Sequence, residues 1–182
     1  MKLIKTQLDG LLIIDPDVFL DDRGYFFESY NWEKFLNLGL DLRFVQDNES
    51  KSGIGVLRGL HFQVPPFQQG KLVRVVKGAV LDVAVDLRKN SPTYGRWEGV
   101  ELSEQNKRMY WIPPGFAHGF LTLEDDTVFF YKCTAVYNKE SERSLAWNDP
   151  DLDIHWGNND PVLSERDKQS PSFSSFNTPF NS

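Results

Sequence analysis

Val56-Leu57-Arg58-Gly59-Leu60-His61-Phe62-Gln63 is the run from which the fold is read. It is short, apolar at its edges and strand-like. It also carries an arginine and a histidine three positions apart. A histidine there is either a hydrogen-bonded core residue or a base in a pocket. An unperturbed pKa near ~6.5 suits proton transfer without demanding it. In a regular strand Arg58 and His61 face opposite ways, so both cannot reach one pocket. Gly59 lies between them and is the natural site of a bulge that shifts the register by one. An irregularity is predicted there; a regular strand would leave Arg58 outside.

Outward from this run, strand patterns recur at Leu11–Ile14, Gly24–Glu28, Arg43–Gln46, Lys71–Val76, Ala79–Leu87, Trp97–Leu102, Met109–Ile112, Gly119–Leu123 and Val128–Val136. Turn signals such as Lys77-Gly78 and Asn90-Ser91-Pro92 separate them. Many short strands with regular turns predict an antiparallel sandwich or barrel. One helix is predicted over Trp32–Leu38, capped by Asn31 and stopped by Gly39. The tail, residues 148–182, is loop-rich, with Ser170–Ser182 expected to fray.

Two strands present informative faces. In Ala79–Leu87, Leu81, Val83, Val85 and Leu87 share one side. Asp82, Ala84 and Asp86 share the other. Asp82 lines a wet lumen, or both aspartates are ordinary exposed strand residues. In Val128–Val136, a strand regular to its end would put Tyr131, Cys133, Ala135 and Tyr137 on one face, with room for a flat ligand between the phenols.

Composition sets bounds. The chain has 182 residues, 40% of them hydrophobic, which fits one globular domain over 1–182. Aspartates interrupt the apolar N-terminus, so neither a signal peptide nor a membrane span is expected. The single cysteine, Cys133, excludes an internal disulfide and fits a reducing, cytoplasmic compartment. A net charge of −6 argues against a nucleic-acid partner, but not against a small anion met by a few converging cations.

Pro113-Pro114-Gly115-Phe116-Ala117-His118-Gly119 resembles the P-x-G-x-x-H half of the second cupin motif, which implies a double-sheet barrel. Metal-binding cupins carry an H-x-H pair in the first motif. Here that position reads His61-Phe62-Gln63, a poor divalent site, so no metal is expected. A pocket holding His61 and Tyr131 suggests acid–base chemistry, most naturally removal of a C–H proton beside a carbonyl through an enolate. Such chemistry calls for a carboxylate to orient the imidazole and a cation near the enolate oxygen, where Lys71 is available. It also calls for cations to hold an anionic handle, from Arg23, Arg58 and His118. His155 and Cys133 read as structural or incidental.

Further segments extend the pattern: Asp22-Arg23-Gly24-Tyr25-Phe26-Phe27-Glu28-Ser29-Tyr30, Phe44-Val45-Gln46-Asp47-Asn48, Gln69-Gly70-Lys71-Leu72-Val73-Arg74, Asp82-Val83-Ala84-Val85-Asp86, Tyr131-Lys132 and Trp147-Asn148-Asp149. With the two motifs above, they make the chain similar to the dTDP-4-dehydrorhamnose 3,5-epimerases, the dTDP-sugar isomerase family of metal-free cupins, from about Gly10 to Asp167. The resemblance implies a mostly β, cupin-type double-sheet antiparallel jelly roll with a few short helices. It implies inversion of C3 and C5 of dTDP-4-dehydro-6-deoxy-glucose to the 4-dehydro-L-rhamnose form, in dTDP-L-rhamnose biosynthesis. No cofactor is expected, since no nicotinamide fingerprint is present and the reaction is redox-neutral.

By position, the resemblance makes His61 the base paired with Asp167, and Tyr131 the acid. Asp82 competes with Asp167 as partner of His61. Lys71 and Arg58 would steady the enolate and the sugar. Arg23, Glu28, Gln46, Asn48, His118 and Glu142 would bind the nucleotide and its diphosphate, with Tyr137 an aromatic near the substrate. The family implies a homodimer in which the strands of residues 1–30 cross over, taking Arg23 and Glu28 to the partner's pocket. Many members carry lysine just before the tail aspartate; this chain has Arg166, which keeps a cation as a planar fork. The rival functions are a monofunctional 3- or 5-epimerase on another 4-keto nucleotide sugar, a non-catalytic sugar-nucleotide-binding cupin, and a metal-dependent cupin.

Overall fold

The computed structural model describes residues 1–181. In chain order the strands are β1 (Lys2–Lys5), β2 (Leu12–Asp15), β3 (Phe19–Asp21), β4 (Gly24–Phe26), β5 (Gln46–Ser52), β6 (Leu57–Gln63), β7 (Lys71–Lys77), β8 (Ala79–Asp86), β9 (Trp97–Ser103), β10 (Met109–Ile112), β11 (Phe116–Thr122), β12 (Thr127–Cys133) and β13 (Glu142–Ser144). Two short helices, α1 (Trp32–Asn37) and α2 (Glu165–Lys168), and a 3-10 turn at Phe173–Ser175 complete the list. A six-stranded sheet runs β1-β2-β10-β7-β12-β5 and a five-stranded one runs β13-β6-β11-β8-β9, with β3–β4 a separate hairpin. The strand pairs are antiparallel. This is the cupin-type jelly roll.

Alternation along the strands sorts the apolar side chains into three layers. Val73, Val75, Tyr110, Ile112 and Phe129 of the larger sheet meet Val80, Ala84, Val100, Leu102, Phe116 and Phe120 of the smaller one inside the sandwich. The outer face of the smaller sheet, including Val83 and Val85, is covered from the C-terminal side by Leu152, Trp156 and Phe180. The outer face of the larger sheet is covered by α1 through Phe35, packed on Ile14, Leu72, Met109 and Trp111. Burying a phenylalanine this completely contributes about 1.5–3 kcal/mol. Helix α1 starts where Asn31 Oδ1 accepts the Lys34 N–H at 3.2 Å and ends before Gly39, at φ +85°.

Four expectations need correcting. Asp82 and Asp86 are fully buried, not ordinary exposed strand residues. The β8 face that carries them looks into the sandwich, and each aspartate has its own partner: His118 for Asp82 and Arg88 for Asp86. The strand expected over Arg43–Gln46 begins instead at Gln46 and continues through Asp47-Asn48-Glu49-Ser50-Lys51-Ser52. Strand β12 ends at Cys133, so Tyr137 does not share its face; a loop carries it. The tail is docked rather than frayed. Phe180 is buried, and the Phe173 N–H donates to Asp149 at 2.7 Å. Ser182 lies outside the described residues.

Candidate active site

A cleft of about 440 Å³ opens at one end of the sandwich. Arg58 and His61 of β6, Lys71 of β7, His118 and Phe120 of β11 and Tyr131 of β12 line it. The sides come from two different sheets, so His61 and Tyr131 approach from opposite walls. A smaller chamber of about 200 Å³ shares His61, Lys71 and Tyr131 and adds Gln46, Asn48, Gln69, Tyr137 and Glu142. The three shared residues stand where the two spaces meet.

Arg58 and His61 do line one cleft, and the strand is irregular between them. Pairing of β6 with β11 shifts register between His118 and Phe120, and Gly59 has φ +141°. The Arg58 guanidinium is held by the Ser52 hydroxyl oxygen, 3.0 Å from Nη2 and 3.2 Å from Nε.

His61 Nε2 lies 2.5 Å from Asp167 Oδ1. Asp82, the other candidate partner, bonds His118 instead, with Nε2 3.0 Å from each carboxylate oxygen. Asp167 is buried, and its second oxygen accepts the Ser164 hydroxyl at 2.9 Å. Ser164 also caps α2 by accepting the Asp167 N–H at 3.1 Å. Burial works to raise the Asp167 carboxyl, but the hydrogen bond and charge of His61, with Ser164 and Arg166, hold it below the usual carboxylate range. Ser164, with its neighbours Val162 and Leu163 in the cleft wall, escaped the sequence reading. The signal was present: Ser164-Glu165-Arg166-Asp167 has capping-box form.

Burial lowers the Lys71 ammonium, against the pull of Cys133, Asp82 and Glu142. Its Nζ sits 6.0 Å from the Tyr131 ring centroid. Burial, with Cys133 and Glu142, raises the Tyr131 phenol, so it keeps its proton through the neutral range. Cys133 is buried beside Asn48, and burial raises its thiol, so it is no ready nucleophile.

Around the smaller chamber, side-chain amides fix the loops. Gln63 is buried; its Nε2 donates to the Phe67 and Val136 carbonyls at 2.6 and 3.1 Å, and its Oε1 accepts the Asn138 N–H at 2.7 Å. Gln46 Oε1 accepts the Tyr137 N–H at 2.8 Å. The Tyr137 hydroxyl donates to Glu142 at 2.8 Å, and Arg166 pairs with the same oxygen at 2.6 Å. Among the described residues, no three His, Cys, Asp or Glu side chains converge as a metal-binding group, and no helix is long and apolar enough to cross a membrane.

Arg23 and Glu28 are the predicted site residues that this single chain does not bring to the cleft. Arg23 sits in the β3–β4 turn, paired with Asp21, and Glu28 pairs with Lys34.

A family model described as dTDP-4-dehydrorhamnose 3,5-epimerase matches residues 5–175. The dTDP-4-dehydrorhamnose 3,5-epimerase of Methanothermobacter thermautotrophicus is 55% identical over 170 residues, covering 92% of this chain and 91% of that protein. The dTDP-6-deoxy-D-glucose-3,5-epimerase of Legionella pneumophila, solved in complex with dTDP-4-keto-L-rhamnose, superposes with TM-score 0.93 at 48% identity, covering 97% of this chain and 94% of its own. Fold, cleft and likeness make this chain a cupin-type nucleotide-sugar isomerase. It belongs to the dTDP-4-dehydrorhamnose 3,5-epimerase family.

Proposed function

We propose that the protein inverts C3 and C5 of dTDP-4-dehydro-6-deoxy-glucose to give dTDP-4-dehydro-L-rhamnose. The observation that carries this reading is the His61–Asp167 pair facing Tyr131 across one cleft, with Lys71 on the Tyr131 wall. The C4 ketone acidifies the protons at C3 and C5. His61 removes each in turn, and Asp167 stabilises the imidazolium that forms. Electrons from the broken C–H bond move onto the C4 oxygen, where Lys71 and Arg58 meet the developing charge. Return of a proton to the opposite face inverts the carbon, with Tyr131 as donor at C5. The tyrosinate then regains its proton from solvent and His61 releases its own, so the cycle closes without redox change.

The nucleotide end is assigned to Gln46, Asn48, His118, Glu142 and Arg166, with the half-exposed Tyr137 ring offered to the base. Incubation with the 4-keto substrate in D₂O tests the reading. Deuterium is expected at both C3 and C5; label at one carbon alone would sink the bifunctional assignment. Ser164→Ala, which frees one Asp167 oxygen, is expected to lower kcat about 2–12-fold, the worth of one hydrogen bond. KM should stay near wild type, and Ser164→Thr should restore the rate. An unchanged kcat in Ser164→Ala would remove Ser164 from the mechanism.

A homodimer is part of the proposal. The β3–β4 hairpin leaves Phe19, Leu20, Tyr25 and Phe26 at 64%, 80%, 55% and 66% exposure, more adjacent apolar surface than a lone chain tolerates well. Packing of this hairpin on a second copy covers that surface and carries Arg23 and Glu28 toward the partner's cleft. Sedimentation is expected to give the mass of two chains, and Leu20→Asp with Phe26→Asp that of one, with weakened dTDP binding. A dimeric double variant would overturn the exchange.

A further inference from the structure

Among the described residues, Asp82 is the one buried carboxylate near the cleft that the mechanism above leaves idle. It lies on β8 between Val80 and Ala84, both fully buried in the apolar interior of the sandwich. It has no exposed surface, and among the described residues its side chain's hydrogen-bond partner is His118 Nε2 alone. Such a carboxylate is a poor choice for stability. Taking an ion out of water costs free energy, and well-packed apolar replacements of buried ion pairs are commonly neutral or stabilising. Among the described residues, nothing else uses its remaining lone pairs.

What Asp82 does touch is part of the cleft. His118 stands directly opposite His61 in the β6–β11 register and lines the same cavity. With Nε2 committed to Asp82, Nδ1 is the ring nitrogen without a protein partner among the described residues, and it is not an unpaired buried atom. The anchored imidazole therefore keeps a free nitrogen in a ring that lines the cleft together with Lys71.

We propose that Asp82 is a positioning residue. It holds the His118 imidazole by Nε2 and balances the charge the ring carries when Nδ1–H meets the anionic part of the substrate. Burial, with the nearby Lys71 and His61, holds the His118 imidazole below its usual range, and the charge and hydrogen bond of Asp82 work against that effect. The inference rests on the epimerase reading.

A double-mutant cycle tests it, with kcat and KM taken from the epimerisation assay and Tm from thermal melts. Asp82→Asn keeps the shape and an acceptor but removes the charge. It is expected to lower kcat/KM about tenfold or more while melting at or above wild type. His118→Asn should lower kcat/KM at least as much, and adding Asp82→Asn to it should change nothing further, because the aspartate acts through the histidine. Asp82→Val is a second variant, expected to fold and to show a loss at least as large as that of Asp82→Asn. Wild-type kcat/KM in Asp82→Asn, or losses that multiply in the double variant, would overturn the proposal. Failure of both Asp82 variants to fold would also overturn it, by giving Asp82 a structural role. A wild-type protein that exchanges neither carbon would remove the epimerase reading and this inference together; an active wild type beside a neutral Asp82→Asn removes only this one.

Discussion

His61→Asn is expected to lose solvent deuterium incorporation at both C3 and C5, with kcat down about 10²–10⁴-fold, the usual worth of a positioned base. The amide stands where Nδ1 stood and stops short of Asp167, which bonds the more distant Nε2 at 2.5 Å in the wild type. Asp167 is left with the Ser164 hydroxyl on its other oxygen. The basic nitrogen is gone. Binding of dTDP, followed by calorimetry, should stay within a few fold of wild type because Gln46, Asn48 and Tyr137 are untouched. Exchange persisting at either carbon would mean that a second base serves it, and His118 would be the next residue to replace.

The second large effect falls on the backbone. Gly59→Ala is expected to destabilise the fold by about 2–5 kcal/mol, combining a disfavoured φ with a steric clash. Gly59 has φ +141°, and an added Cβ would meet Gly119 Cα at 2.5 Å and the His118 carbonyl oxygen at 3.0 Å. Relief cannot come from a side chain, because the neighbours are backbone atoms of the adjacent strand. The same displacement would pull His118 from Asp82 and part Arg58 from His61, so kcat/KM should fall even where the variant folds. Urea melts give the stability change. A shift under about 0.5 kcal/mol, the range of ordinary surface substitutions, would mean that β11 yields easily and that the close approach is unimportant.

Gly59 is also where sequence logic worked best. The opposite parity of Arg58 and His61 demanded a break in alternation, and Gly59 was the natural site for it. Apolar side chains marked β6, β7, β8, β9 and β10 because they fill a core. Strand β5 escaped because its sequence, Gln46-Asp47-Asn48-Glu49-Ser50-Lys51-Ser52, is polar on both faces. It pairs with β12 along its whole length. Asp47, Glu49 and Lys51 face solvent, while Gln46, Asn48 and Ser50 line the cavities. Alternation of hydrophobicity vanishes where a strand's inner face serves a site instead of a core.

The aspartates of β8 misled for a related reason. Charge in a strand reads as exposure, yet each of these two is buried with a partner outside its own strand, His118 for Asp82 and Arg88 for Asp86. The Asp82 pairing is a tertiary contact, 36 positions along the chain, that local pattern does not carry, whereas Arg88 folds back on Asp86 from two residues away. The docking of the tail is likewise a long-range fact. Phe176 and Phe180 close on Phe62, with ring centroids 5.1 and 6.1 Å away, more than a hundred positions back along the chain.

Gln63 occupies the place of the second imidazole in metal-holding relatives of this barrel, and its amide is fully engaged. It ties the Phe67 and Val136 carbonyls and the Asn138 N–H into one knot behind the smaller chamber. Reinstating the imidazole would therefore unfasten two loops before it gained any ligand. An engineer seeking a metalloenzyme on this scaffold would have to rebuild residues 64–69 and 134–138 together with position 63, and Tyr137, which rides on the second loop, would be the first thing displaced.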